Sequence, residues 1–148
     1  MTDWLQIQII YNMPAGELYI NDKDAFTTWG VSMEDGLSAL LSPANMKPYV
    51  TNKSRLEHGT RVMAVNPKVD EREVTIVVHL LASSTAQFLE RLHNFVAEME
   101  LGVVSLRTSY EPSVTYHLHY MSMTQFTQFM MGMAKFSIRF TEYNPKSR

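Results

Sequence analysis

His117 and His119 stand two residues apart in a stretch that alternates apolar and polar positions, residues 114–123. On a strand, that spacing puts both imidazoles on one side, where they could share a metal ion. Spacing offers no third ligand, and histidines are common on the wet side of a strand, so no metal is expected. His58, His79 and His93 have no partner nearby in sequence and read as surface or satisfied core residues. Asp22 and Asp24 resemble the start of a calcium loop, but the glycine and terminal glutamate of an EF-hand do not follow, which leaves a turn. Asp70, Glu71 and Glu73 could supply paired carboxylates for acid–base work. With no neighbour to move a pKa, they read as a solvated strand entrance. The sequence carries no Gly-x-Ser-x-Gly elbow, no glycine-rich phosphate loop and no His-Glu-x-x-His. Neither a catalytic centre nor a cofactor is expected.

The elements that would have to position such groups are clearest in residues 74–107, which read as strand, helix, strand. Val74-Thr75-Ile76-Val77-Val78-His79-Leu80-Leu81 is β-branched and long enough to cross a sheet. Ser84 follows as an N-cap, and Gln87 is placed to close a capping box. Phe88, Leu92, Phe95 and Met99 recur at helical spacing, so the main helix is expected over about residues 85–101, with Gly102 as its stop. Residues 103–107 return to strand. Neither the helix nor the strands can bury an apolar side alone, so the helix must lie against a sheet built from the rest of the chain.

On the N-terminal side, Leu5-Gln6-Ile7-Gln8-Ile9 alternates as a strand, Met13-Pro14-Ala15-Gly16 is a turn, and Glu17-Leu18-Tyr19-Ile20 pairs back as a hairpin. Residues 25–33, with Trp29, read as another strand. Leu37, Leu40 and Leu41 allow one helical turn, stopped by Pro43. On the C-terminal side, residues 114–123 and 134–143 read as antiparallel strands, the first with Tyr116, Leu118 and Tyr120 on one face, the second with Phe136, Ile138 and Phe140. Residues 125–133 fit either an extension of that hairpin, with Gly132 at a bulge, or an apolar loop.

Residues 45–70 differ in character: polar, broken by Pro48, Gly59 and Pro67, and too long for an ordinary connection. They read as an extended arm leaving the body, the alternative being a solvated loop of a monomer. Lys47, Lys53, Arg55, Arg61 and Lys68 outnumber Glu57 along it. These cations are too dispersed, and too little interleaved with aromatics, for a nucleic-acid platform.

The bulk numbers narrow the classes. A chain of 148 residues fits one domain, 1–148, and buries roughly 68–70% of its unfolded surface without a staple. There is no cysteine, so disulfides and thiolate metal sites are excluded. A net charge of −2 gives no general attraction to nucleic acid or anionic membrane. No apolar run approaches the ~20 residues that span a bilayer. Met1-Thr2-Asp3-Trp4 does not open a leader pattern, and the expectation is a protein made in the cytosol. The 11 methionines suit adaptable core filling or a sticky contact surface.

The order of elements carries a resemblance. Trp29-Gly30 leads to Gly36-Leu37-x-x-Leu40-Leu41-x-Pro43-x-x-x-Lys47, then to His58-Gly59-Thr60-Arg61, then to Arg72-Glu73-Val74-Thr75-Ile76-Val77-Val78, the helix with Phe88 and Leu92, and the Gly102 turn. Over roughly residues 25–143 this resembles the N-terminal, ring-forming domain of phage distal tail proteins, relatives of tail-tube and baseplate proteins. The resemblance implies an α+β fold, an antiparallel split β-barrel or sandwich flanked by one main helix, with the arm at 45–70. It implies a virion structural subunit and no enzyme. Copies would form a ring, a hexamer by family habit, joining the tail tube to the baseplate hub or receptor-binding apparatus. Such a ring would sit in the virion tail, assembled in the bacterial cytoplasm, with no membrane or specific nucleic-acid partner. Larger family members carry a further C-terminal carbohydrate-module-like domain, which these residues do not match. Lys47, Lys53, Arg55, Glu57, His58 and Arg61 are the expected subunit-interface residues, with Glu34, Asp35 and Glu71 as acidic counterparts. The competing expectation is a small monomeric ligand-binding or enzymatic α+β domain.

Overall fold

Short apolar runs separated by turn-formers divide the chain into nine strands and three helices among the described residues of the computed structural model, 15–56, 58–63, 66–130 and 132–148, with residues 125 and 128–130 described by backbone alone. In chain order these are β1 (Leu18–Ile20), β2 (Lys23–Asp24), α1 (Ala25–Trp29), β3 (Val31–Asp35), α2 (Leu37–Leu41), β4 (Val50–Asn52), β5 (Arg61–Met63), β6 (Arg72–Leu81), α3 (Thr85–Met99), β7 (Val103–Thr108), β8 (Tyr116–Met130) and β9 (Met133–Glu142). The strand expected at 5–9 and the turn residues Met13 and Pro14 lie outside the described residues.

Seven strands form one antiparallel sheet in the order β2-β1-β7-β8-β9-β6-β3, and β4 and β5 form a separate pair. The period-2 pattern of β6 fixes its register on β9: Val74 faces Phe140, Ile76 faces Ile138 and Val78 faces Phe136, all six fully buried. Of the ambiguous stretch, residues 125–130 and Met133 extend the β8–β9 hairpin, with Gly132 at φ 85° beside its turn, and three register shifts interrupt β8 along the way.

The strand expected over residues 25–33 is in fact a helical turn followed by a strand. Asn21 and Asp22 both take positive φ, closing a two-residue hairpin between β1 and β2. That turn delivers Asp24 as the N-cap of α1, its carboxylate accepting from the backbone N–H of Phe26 at 3.0 Å and of Gly16 at 2.6 Å. Gly30 then ends the helix at φ 68°, where an added Cβ would lie 2.2 Å from the Leu81 carbonyl oxygen.

α1 also bears on the expected split β-barrel or sandwich, of which the structure shows the antiparallel sheet and its one main helix. β2 and β3 stand at opposite ends of the sheet order, yet only Ala25–Trp29 and Gly30 separate them in the chain. Six residues, five of them helical, reach on the order of 10 Å. The sheet must therefore curl until its ends approach, with α1 in the gap. No β2–β3 ladder closes it among the described residues, so the result is an open, curled sheet.

The antiparallel order places the end of β6 and the start of β7 at the same end of the sheet, three strand spacings apart, about 14 Å. α3 bridges them, and its 15 residues span about 22 Å. It thus lies across the strand ends and plugs that opening. Phe95 is fully buried there, edge-on to Trp29 at 5.6 Å and tilted against Phe136 at 6.0 Å. Phe88 and Met99 are buried beside it, with Leu92 partly so. Ser84 caps the helix by accepting from the Gln87 N–H, while the Gln87 side chain reaches one residue beyond the expected box, to the Ser83 N–H. Lys23 and Asn21 both bind Glu98, which ties the far end of α3 to the β1–β2 turn. The opposite opening is covered by α2. Leu40 is buried there, and Gly36, at φ 142°, is pressed so closely on Ile76 that a Cβ would stand 2.5 Å from its Cγ2.

Candidate functional site

The described residues among 45–70 connect α2 to β6. Their legs pair at the base, where Met46 bridges Val69, the Lys47 N–H donates to the Lys68 carbonyl at 2.9 Å, and the Asp70 N–H donates to that of Asn45 at 2.7 Å. Farther out, Val50 pairs with Met63, Thr51 with Val62 and Asn52 with Arg61. Every residue of β4 and β5 is exposed. An isolated two-stranded ribbon is marginal in water, and this one carries Tyr49, Val50, Val62 and Met63 in the open, with Leu56 96% exposed at its tip. The polarity of the stretch hid these apolar residues in the sequence reading, yet their exposure on both faces is its most informative property.

The expected interface residues are distributed along this ribbon. Lys47 sits at the base, Lys53, Arg55 and His58 lie in the connection between the strands, and Arg61 is in β5; all five are exposed. Glu57 lies outside the described residues. Of the expected acidic counterparts, Glu71 and Asp35 are exposed on the body, whereas Glu34 is engaged by Lys135 at 3.1 Å and by His79 at 3.0 Å.

The two legs of the ribbon are clamped by a buried ion cluster that no local sequence signal announces. Arg72, the first residue of β6, binds Glu142 at the end of β9. The same guanidinium donates to the carbonyls of Ala39, Leu40 and Ser42 around the end of α2. It thereby fastens the segment before the ribbon to the strand after it, and relieves helix-end carbonyls that would otherwise lack partners. Glu142 is fully buried and also accepts from Arg148 at 2.9 Å and 3.0 Å. Burial pushes its pKa up, but the hydrogen bonds from Arg148 and Arg72 outweigh this, and the net shift is downward. The Tyr116 ring lies under both guanidiniums, and its hydroxyl donates to Glu111 at 2.7 Å. Burial first, then that carboxylate, raises the Tyr116 pKa to about 12.

His79 occupies the outer side of β6 yet is almost wholly buried, with its Nε2 against Glu34. Desolvation lowers its pKa, and Lys135 adds to this, against the pull of Glu34. His117 and His119 do share a side of β8, but His119 packs edge-on against Tyr143 at 4.9 Å. Among the described residues no three histidine or carboxylate side chains gather as metal binding requires.

Surface grooves flank the ribbon base. One of about 720 Å³ is lined by Lys47, Lys68, Lys146 and Tyr143 among others. Another, of about 280 Å³, is lined by Glu71, Arg72, Glu73, Met121, Thr141 and Tyr143. None of these surfaces pairs a nucleophile with a base, or an acid with a base.

The arrangement is an open, curled antiparallel sheet, plugged at one end by a single main helix and extended at the other by a two-stranded ribbon. The antiparallel sheet with one main helix is shared with a phage distal tail protein and a baseplate chain, as the order of sequence elements leads one to expect. The Dit protein of phage SPP1, described as a paradigm of the hub adsorption apparatus in phages infecting Gram-positive hosts, matches with a TM-score of 0.63 at 15% identity, over 87% of this chain and 50% of its own. A chain of the phage P2 baseplate in its activated conformation, solved with calcium and again with strontium, matches with a TM-score of 0.58 at 13% identity, over 84% of this chain and 43% of its own. The chain therefore spans half or less of the length of these structures. No protein-family model and no curated protein matches the sequence.

Proposed function

We propose that this chain is a structural subunit of a phage tail or tail-like particle, with no enzymatic role. Copies form a ring, a hexamer by analogy, that joins the tail tube to the baseplate hub or receptor-binding apparatus. The ribbon of residues 45–70 acts as the arm between subunits. The observation that carries this reading is a ribbon exposed on both faces, with apolar and cationic residues, on a fold otherwise matched by distal tail and baseplate proteins. Ordering such a ribbon costs about 1–2 kcal/mol of backbone entropy per residue. Its own ladder offsets part of that cost, and contact with the next copy supplies the remainder. A heterologous contact repeated about an axis closes into a ring.

The test is light scattering after size-exclusion chromatography, on the full chain and on a chain lacking residues 53–59, with circular dichroism as the folding control. A ring from the full chain and a folded monomer from the deletion are expected. A full chain that is monomeric at high concentration refutes the ring and favours the monomeric ligand-binding reading. A deleted chain that still forms the same ring refutes the arm as the joint.

A further inference from the structure

We infer that the ribbon tip of one copy seats in the groove formed by Glu71, Glu73, Met121 and Tyr143 on the next copy. This deepens the ring reading and rests on it. The tip presents Lys53, Arg55 and Leu56, two cations followed by an apolar side chain, all exposed. A complementary surface needs exposed apolar area beside carboxylates that are not already paired.

The grooves of the body can be compared on that criterion. The one of about 720 Å³ at the ribbon base carries three lysines and would repel the tip. The one around Glu34, Gly36, Leu37 and Tyr110 holds only about 150 Å³, and Glu34 is already bound by His79 and Lys135. The one beside Pro43 and Asn45 has no large exposed apolar side chain, and the one beside Phe26 and Leu81 contains Arg91 and no carboxylate. The remaining groove has both ingredients. Glu71 and Glu73 are exposed on one side of β6, and Met121 and Tyr143 are 46% and 53% exposed beside them. Arg72, which also lines it, is paired with Glu142, a carboxylate it shares with Arg148. A register shift between Tyr120 and Ser122 places Met121 in an irregular part of the β8 ladder, next to Thr141 in the groove wall.

Reach decides between self and neighbour. From Met46 to Leu56 an extended strand covers on the order of 30 Å. The acidic groove lies at the base of the same ribbon, so a tip that far out cannot touch its own. A compact chain of this length has a diameter of about 38 Å. The reach of the tip is thus of the same order as the spacing between copies, which makes the equivalent groove, at the ribbon base of the next copy, the one it can approach.

The chain has no cysteine, which makes the test direct. Leu56→Cys combined with Met121→Cys should give an intermolecular disulfide ladder on mild oxidation, absent from either single variant. Lys53→Glu with Arg55→Glu, and separately Glu71→Lys with Glu73→Lys, should each weaken assembly about tenfold or more in light scattering at physiological salt. All four reversals together should restore it, a recovery that misfolding cannot mimic. If the wild-type chain is monomeric, the ring reading itself fails. If the wild-type chain forms a ring but neither reversal weakens it, or the combined variant does not recover and no cross-link forms, this docking site is wrong while the ring stands.

Discussion

Replacing Arg72 by methionine tests whether the ion cluster holds the ribbon base together. The wild-type guanidinium makes one bond to Glu142 and three to carbonyls around α2. The side chains of Arg72 and Glu142 are 7% and 0% exposed. An exposed ion pair is worth about 0–1 kcal/mol, whereas removing one partner of a buried pair costs about 3–5 kcal/mol because the other charge stays buried. The structure places this pair in the second class, softened by Arg148, which stays bonded to Glu142. Arg72→Met should therefore destabilise by about 3–5 kcal/mol in urea unfolding, and lower the melting temperature by roughly 10 °C or more. Arg148→Ala, at a side chain 30% exposed, should cost about 1 kcal/mol or less. Acid supplies a second readout. The folded pKa of Glu142 lies below its unfolded value. The stabilisation is thus fully present above the unfolded carboxylate pKa, about 4.3, and disappears as pH falls through the folded value. Glu142→Gln should flatten stability against pH in that acid range. An Arg72→Met loss below about 1 kcal/mol, with an unchanged acid profile, would refute the reasoning.

Two other perturbations probe the opposite end and the outer sheet face. Phe95→Ala removes a fully buried ring between Trp29 and Phe136 and should cost about 3–5 kcal/mol in the same unfolding assay; a loss under 1 kcal/mol would mean that α3 does not plug the sheet. His79 has a lowered folded pKa, so the unfolded chain binds its proton first. Stability should be fully present above about pH 6.5 and decline as pH falls from there towards the folded value. His79→Gln should remove that decline in denaturation midpoints measured across the range, and an identical slope in the variant would rule His79 out as its source.

Much of the core was legible because β6, α3 and β9 have strict periods. Val74, Ile76 and Val78 at every second position, and Phe88, Phe95 and Met99 at helical spacing, announce their buried faces directly. α1 was misread because Thr27, Thr28 and Trp29 favour strands, whereas the decisive local features are a cap at Asp24 and a left-handed stop at Gly30. Both were readable in principle, but a five-residue helix shows too little of its period to be recognised. The Arg72–Glu142–Arg148 cluster joins residues about seventy positions apart, and no local pattern encodes such a meeting. The curl of the sheet was equally hidden, since it follows from the strand order and the brevity of α1 together. The ribbon's length was visible, but its exposed Leu56, Val62 and Met63 were masked by polar neighbours.

The strand order has a consequence for how the chain is made. β1 finds one of its two ladders on β7, and β6 finds one of its two on β9, the last of the described strands in chain order. At roughly 5–20 residues per second, β6 emerges from the ribosome several seconds before β9 exists. During that interval its apolar run from Val74 to Leu80 can pair only with β3, and its other edge is free to engage a neighbouring nascent chain. Apart from the β1–β2 hairpin and the β4–β5 ribbon, local contacts among the described strands build only the β7–β8–β9 meander, so the body should fold in the slower regime typical of non-local topologies. Arg72 meets Glu142 only once β9 has been made, and the ribbon base is clamped at that moment. The hold on both legs of the ribbon is thus set only after a further stretch of about seventy residues beyond Arg72 has been translated.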